Sequence, residues 1–196
     1  MIFSKIFGSL GCSLDLLHII WNINILRDGL HLPGSTEKLK ELETRLLSIS
    51  QYAEIAHDYG SEAVHRQKVK ILNTAELYHM AALIYLLRIE AESGKVRCIS
   101  DYIQRGFHIL EALPICTSPW PLFVLACEVE TDRHRIAILH ALDTMDQDRK
   151  IGNVFVLRSM IESLWKRRDL LADTRSRSMF QWWNPAIWNT ATPWFI

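Results

Sequence analysis

The sequence predicts an all-α protein, an irregular array of about seven or eight helices in a single domain. Three observations carry this. Apolar residues recur at spacings of three and four nearly throughout the 196 residues, which is the period of a helix face. The segment 72–90 is apolar on nearly all sides, as a helix buried among other helices must be. Two-residue alternation, the mark of a half-buried strand, is nowhere sustained.

The elements follow in order. Ser13 is a suitable N-cap, and Leu16, Ile19, Ile20, Ile23 and Leu26 mark one face of a helix that reaches about Arg27. The stretch HLPGS at 31–35 breaks it. A second helix is expected over 36–57, where Leu39, Leu42, Leu46, Ile49, Ala53 and Ala56 form one narrow stripe, closed by Tyr59-Gly60. A long helical segment then runs to Ser93, with Gly94 as its C-terminal cap. Asn73 followed by Glu76 resembles a capping box and predicts a break near Asn73. A further helix is expected over 95–113, with Val96, Ile99, Tyr102, Ile103, Phe107 and Leu110 inward and Pro114 ending it. Short and long helices over 120–129, 132–145 and 153–171 complete the array.

Composition narrows the function classes. Lys+Arg and Asp+Glu both number 22, so no bulk charge draws the chain to nucleic acid or anionic lipid. Residues 149–177 hold eight cations against three carboxylates, a pattern that a solvated helix face accounts for. The four cysteines, Cys12, Cys98, Cys116 and Cys127, form no C-x-x-C pair and no zinc-ligand spacing. The first residues lack the charge pattern of a secretory signal, since Lys5 is the lone base there and Asp15 interrupts the apolar run. Residues 178–196 carry no charge, but two prolines and several polar residues argue against a membrane span.

Catalytic and metal motifs are not apparent. The sequence has no phosphate-cradling glycine loop, no His-Glu-x-x-His pair and no nucleophile elbow. DTMDQD at 143–148 could hold a divalent cation, but a solvated inter-helix loop is the expectation. His18, His57, His65, His79, His108 and His140 fall in expected helices, with no spacing that pairs them for acid–base work. No catalytic, cofactor-binding or metal-binding residue is therefore assigned, and no cofactor is expected.

The stretch SPWPLFVLACEVETDRH at 118–134 is the most distinctive. Pro119 and Pro121 have fixed φ and no N–H, which suits the first turn of a helix. Trp120 between them is a rigid apolar anchor. Leu122, Phe123, Leu125 and Ala126 then bury the helix, and Glu128 near its end could take a partner from a neighbouring element.

This stretch resembles the Trp-Pro-x-Phe-x-x-x-Cys-Glu segment of the fungal-specific transcription factor domain, which accompanies binuclear zinc cluster DNA-binding modules. Its residues here are Trp120, Pro121, Phe123, Cys127 and Glu128. AELYHMAALIYLLRI at 75–89, with Tyr78 and Tyr85, looks like that family's central helix. IESLWKRRDL at 161–170 resembles its late Trp-x-x-Arg-Asp helix, through Trp165, Arg168 and Asp169. SLGCSLDLLHII at 9–20 is similar to its opening helix. The resemblance implies an all-helical, nuclear, non-enzymatic regulatory domain over 1–177, followed by an aromatic-rich tail over 178–196. It implies a protein partner or self-association and room for a small-molecule effector. Zero net charge and the lack of a reading motif, not the resemblance, predict no specific DNA binding by this chain, and the composition of the tail predicts no membrane.

The sequence departs from the family in two places. The family's DNA-reading module needs six clustered cysteines, whereas this sequence has four, scattered. A fragment, a truncated gene product or a regulator acting without its own DNA reader are the readings that follow. The tail also carries four of the seven tryptophans where a regular helix is expected. It is either an exposed aromatic patch for a partner or membrane interface, or a segment folded back onto the helical core or a divergent reading-frame end, and one of the latter two is the expectation. The alternative function is a helical small-molecule- or lipid-handling protein or enzyme, with a cavity near that aromatic segment.

Overall fold

A computed structural model describes residues 2–54, 62–92, 94–149, 152–171 and 182. Among these residues the chain forms seven helices and one small three-stranded sheet. The helical array is as expected, and the sheet is an addition to it. Contacts group the chain into two units, Met1–Pro114 and Ile115–Ile196.

In the first unit, strand β1 (Ile2–Phe7) lies between β2 (Cys12–Ser13), antiparallel to it, and β3 (Ile49–Tyr52), parallel to it. Ser4 and Ile6 point inward from β1, while Phe3, Lys5 and Phe7 share the outer face. With apolar residues on both faces, the strand shows no clean alternation in the sequence.

Helix α1 (Leu14–Asp28) begins where Ser13 Oγ accepts from the Leu16 amide at 3.3 Å, so the expected N-cap is observed. Its five buried residues are the five of the expected face. Helix α2 (Ser35–Ser48) starts after Gly34, whose φ of +83° is left-handed. It stops nine residues before the expected end. Ile49 stays buried, but as part of β3, whose backbone groups pair with β1. Gln51 adds two bonds, accepting from the Ser13 amide and donating to the Ala75 carbonyl, each at 2.8 Å. The stripe therefore keeps its apolar burial while its backbone changes partner. Ala56 and Tyr59-Gly60 lie outside the described residues.

Helix α3 (Glu62–Glu92) runs unbroken for 31 residues, about 46 Å at 1.5 Å per residue. The expected break at Asn73 does not occur, because Glu76 does not turn back to cap it. Glu76 instead pairs with His79 at 3.6 Å and Arg105 at 2.6 Å. A hydrogen bond from His79 holds its carboxyl below the ordinary value, ahead of the opposing effect of burial. From Ala75 onward α3 is almost wholly buried, as its all-round apolar sequence requires.

Helix α4 (Ser100–Ala112) is shorter than expected at its start. Residues 95–99 are irregular, and Val96, expected inward, is 83% exposed. Lys95 and Arg97 hold the buried Glu90 carboxylate there, at 3.2 and 2.5 Å, and Arg97 also reaches Glu43 at 2.6 Å. A buried carboxylate needs such partners, and the irregular segment brings both cations to it. Ile99, Phe107 and Leu110 are buried as expected.

The second unit contains α5 (Pro119–Cys127), α6 (Asp132–Arg149) and α7 (Gly152–Leu171). DTMDQD is not an inter-helix loop but the last turns of α6, with Met145 buried among them. No helix among the described residues is long and apolar enough to cross a membrane. The expected boundary between 177 and 178 lies outside the described residues.

Candidate functional site

The motif residues of the second unit meet at the C-terminal end of α5. Pro119 occupies its first turn, with Ser118 as the extended N-cap residue, and the Leu122 amide bonds the Ser118 carbonyl at 3.4 Å. Proline loses nothing in this turn, where no intrahelical acceptor exists for its N–H. Eight of the nine α5 residues are buried, Trp120, Pro121, Phe123 and Cys127 among them. A helix buried to this degree cannot leave its last carbonyls to water, and they need protein donors.

Helix α7 supplies those donors. The Trp165 indole N–H donates to the Ala126 carbonyl at 2.9 Å, and Arg168 Nη1 donates to the Cys127 carbonyl at 2.8 Å. A guanidinium is also favourable beside the negative end of a helix dipole. On one helix, residues 165 and 168 are three apart and share a face, so one side of α7 seals two carbonyls of α5.

Glu128 is the C-cap residue of α5 and is buried. Its carboxylate accepts from the Trp182 indole N–H at 2.8 Å. The Trp182 ring meets Phe123 edge-on, with centroids 6.0 Å apart at 85°, a favoured aromatic geometry. Trp182, the described residue of the aromatic tail, is thus folded onto the helices; the rest of 178–196 lies outside the described residues.

Asp169 does not touch α5. It takes a two-pronged ion pair from Arg135 of α6, at 2.9 and 2.5 Å. The hydrogen bond from Arg135 holds the Asp169 carboxyl below its ordinary value. The same guanidinium lies over the Trp165 ring, 5.4 Å from its centroid. Arg135 Nε is buried without a hydrogen-bond partner, and the π face beneath the guanidinium offers it partial compensation. Sequence analysis gave no role to Arg135 or to Trp182. Nothing in local spacing links Arg135 to a carboxylate 34 residues on.

Tyr78 and Tyr85 belong to the first unit, on α3. Tyr85 donates to Asn24 Oδ1 at 2.6 Å and accepts from Arg27 at 3.2 Å, tying α3 to α1. Burial pushes its hydroxyl up to about 12, against the pull of Arg27. Tyr78 is half-buried on the same helix.

The chemistry of these residues is that of structure. Burial, aided by the Glu128 charge, raises the Cys127 thiol well above its ordinary value, which keeps it neutral and unreactive. Cys12 is pushed up to about 12 by burial, and Cys98 is the exposed thiol. Among the described residues no three His, Cys, Asp or Glu side chains are grouped to hold a metal.

Buried helices pinned by motif side chains define a helical scaffold domain whose marked residues hold its own elements together. The chain belongs to the fungal specific transcription factor domain family, whose model matches residues 4–186 and so covers both units. It is similar to transcription factor iacI of Pestalotiopsis fici, with 27% identity over 96 residues, 48% of this chain. The match spans a quarter of that protein's length (25%). No solved structure matches.

Proposed function

We propose that this chain is the regulatory, non-enzymatic domain of a fungal transcription regulator, working in the nucleus through a protein partner or self-association and open to a small-molecule effector. The observation that carries the reading is the use made of the family motif. Trp120, Trp165, Arg168 and Glu128 are committed to burying and capping α5, so the motif preserves a scaffold. The alternative, a cavity-bearing enzyme or lipid handler at the aromatic tail, gains no support from Trp182, which is packed on Phe123. On this reading DNA is read elsewhere, which the zero net charge and the cysteine spacing, unlike that of a zinc cluster, support.

The test fuses the 196-residue chain to a DNA-binding module of known site and measures transcription from a matching reporter. A changed output relative to the module alone is expected, and an unchanged output overturns the regulatory reading. The purified chain should show no sequence-dependent duplex binding at physiological salt. Nanomolar, sequence-dependent binding overturns the assignment of DNA reading elsewhere.

A further inference from the structure

The first unit contains a groove that the motif residues do not use. It lies between the second half of α1 and α2 and is lined also by Gly29, Leu32 and Pro33 of the turn over 29–34, with a volume of about 350 Å³. That lies in the range of small-molecule sites, roughly 300–1,000 Å³. Its floor is apolar, formed by the buried Leu26 and Leu42. Its apolar wall is Ile25 and Leu32, 57% and 56% exposed although both are large aliphatics. Such residues gain by being covered.

The opposite wall is charged. Lys38, Glu41 and Arg45 recur at three and four residues along α2, so all three line the same side of the groove. Among the described residues none of the three makes an ion pair, although Arg45 is only half exposed. The nearby Arg27 and Asp28 pair with each other instead. Two cations against one carboxylate leave the groove with one positive charge in excess.

We infer that this groove binds an amphipathic monocarboxylate, its apolar body on Leu26, Leu42, Ile25 and Leu32 and its carboxylate between Lys38 and Arg45. A carboxylate between two cations gains charge-assisted hydrogen bonds, and the apolar floor gives the rest of the molecule its hydrophobic burial. Glu41 on the same wall disfavours a second negative charge, which sets the preference for one carboxylate over two. The regulatory reading supplies only what such a ligand would be for; binding is tested apart from it.

The experiment titrates the isotope-labelled full chain with decanoate, and in parallel with decanol and with decanedioate, following backbone amide shifts. Saturable shifts confined to 22–45 are expected with decanoate, with affinity at least about tenfold above that for decanol, the scale of a charged hydrogen bond. The double variant Lys38→Gln/Arg45→Gln should abolish that tenfold preference. Leu32→Ser should weaken decanoate and decanol alike. These positions are on the surface, and unchanged circular dichroism melting checks that the fold is kept. The inference is overturned by decanoate shifts centred outside 22–45, by equal binding of decanol, by preferred binding of decanedioate, or by a preference that survives loss of both cations. A silent reporter fusion with intact decanoate binding would remove the regulatory reading and leave the site standing.

Discussion

Replacing Trp165 by phenylalanine tests the cap on α5. The substitution keeps an aromatic ring in a buried position but removes the indole N–H that reaches the Ala126 carbonyl at 2.9 Å. That carbonyl lies at the end of a helix with eight buried residues out of nine, so water does not easily replace the lost donor. An unsatisfied buried acceptor costs about 1–3 kcal/mol. The weaker π face of phenylalanine under Arg135, 5.4 Å away, loses part of a contact worth about 0.5–1 kcal/mol. The smaller ring leaves a void worth about 1 kcal/mol. The expected loss is about 3 kcal/mol, or a drop in Tm of about 6–12 °C for a chain of this size. Thermal unfolding by circular dichroism measures it. Hydrogen exchange across 115–130 should show faster opening of α5. Phe155→Ala, on the exposed side of α7, is the control and should stay within about 0.5 kcal/mol of the parent. If Trp165→Phe melts within about 2 °C of the parent, less than the shift expected for 1 kcal/mol, the indole bond does not hold the helix and the account of the motif is wrong.

Trp120→Ala removes a nearly fully buried ring and should cost roughly 3–5 kcal/mol or leave the chain insoluble; parent-like melting together with lost partner binding would make that segment a site and not a support. Asp169 titrates below its ordinary value in the folded chain because Arg135 donates to it; its contribution to stability is present at neutral pH and is lost as pH falls through the depressed folded value. Carboxyl NMR should show that depression, and Arg135→Met should remove most of it, with Arg168 still lowering the carboxyl. Iodoacetamide near neutral pH should label Cys98, which is exposed and lowered by a hydrogen bond from Ser100. Cys12, Cys116 and Cys127 are buried and should react only after unfolding, and mass mapping of the labelled peptides decides it.

The helices were legible where one face carries the apolar residues. Leu16, Ile19, Ile20, Ile23 and Leu26 are the buried set of α1, and Ser13 caps it. The sheet was not legible, because the apolar spacing from Leu39 through Ile49 continues past the end of α2. Only pairing with a strand more than 40 residues away distinguishes β3 from another helical turn. Asn73 and Glu76 have the residue types of a capping box, but Glu76 spends its carboxylate on His79 and Arg105. In the second unit, resemblance marked Trp165, Arg168 and Glu128, and helical period put each on its element. That their polar atoms meet at one helix end is a property of tertiary packing, as are Arg135 on Asp169 and Trp182 on Glu128, and no local pattern encodes it.

The cap on α5 also sets a schedule for making the protein. The donors that close its last turn come from positions 165, 168 and 182, while the groups they satisfy lie at 126–128. At about 5–20 residues per second, a ribosome that has finished Glu128 needs roughly 3–10 s more to reach Trp182. During that interval a strongly apolar helix exists without its seal. A nascent chain that stalls inside it leaves that apolar helix without its seal, so slower synthesis between these positions is expected to lower the yield of folded chain.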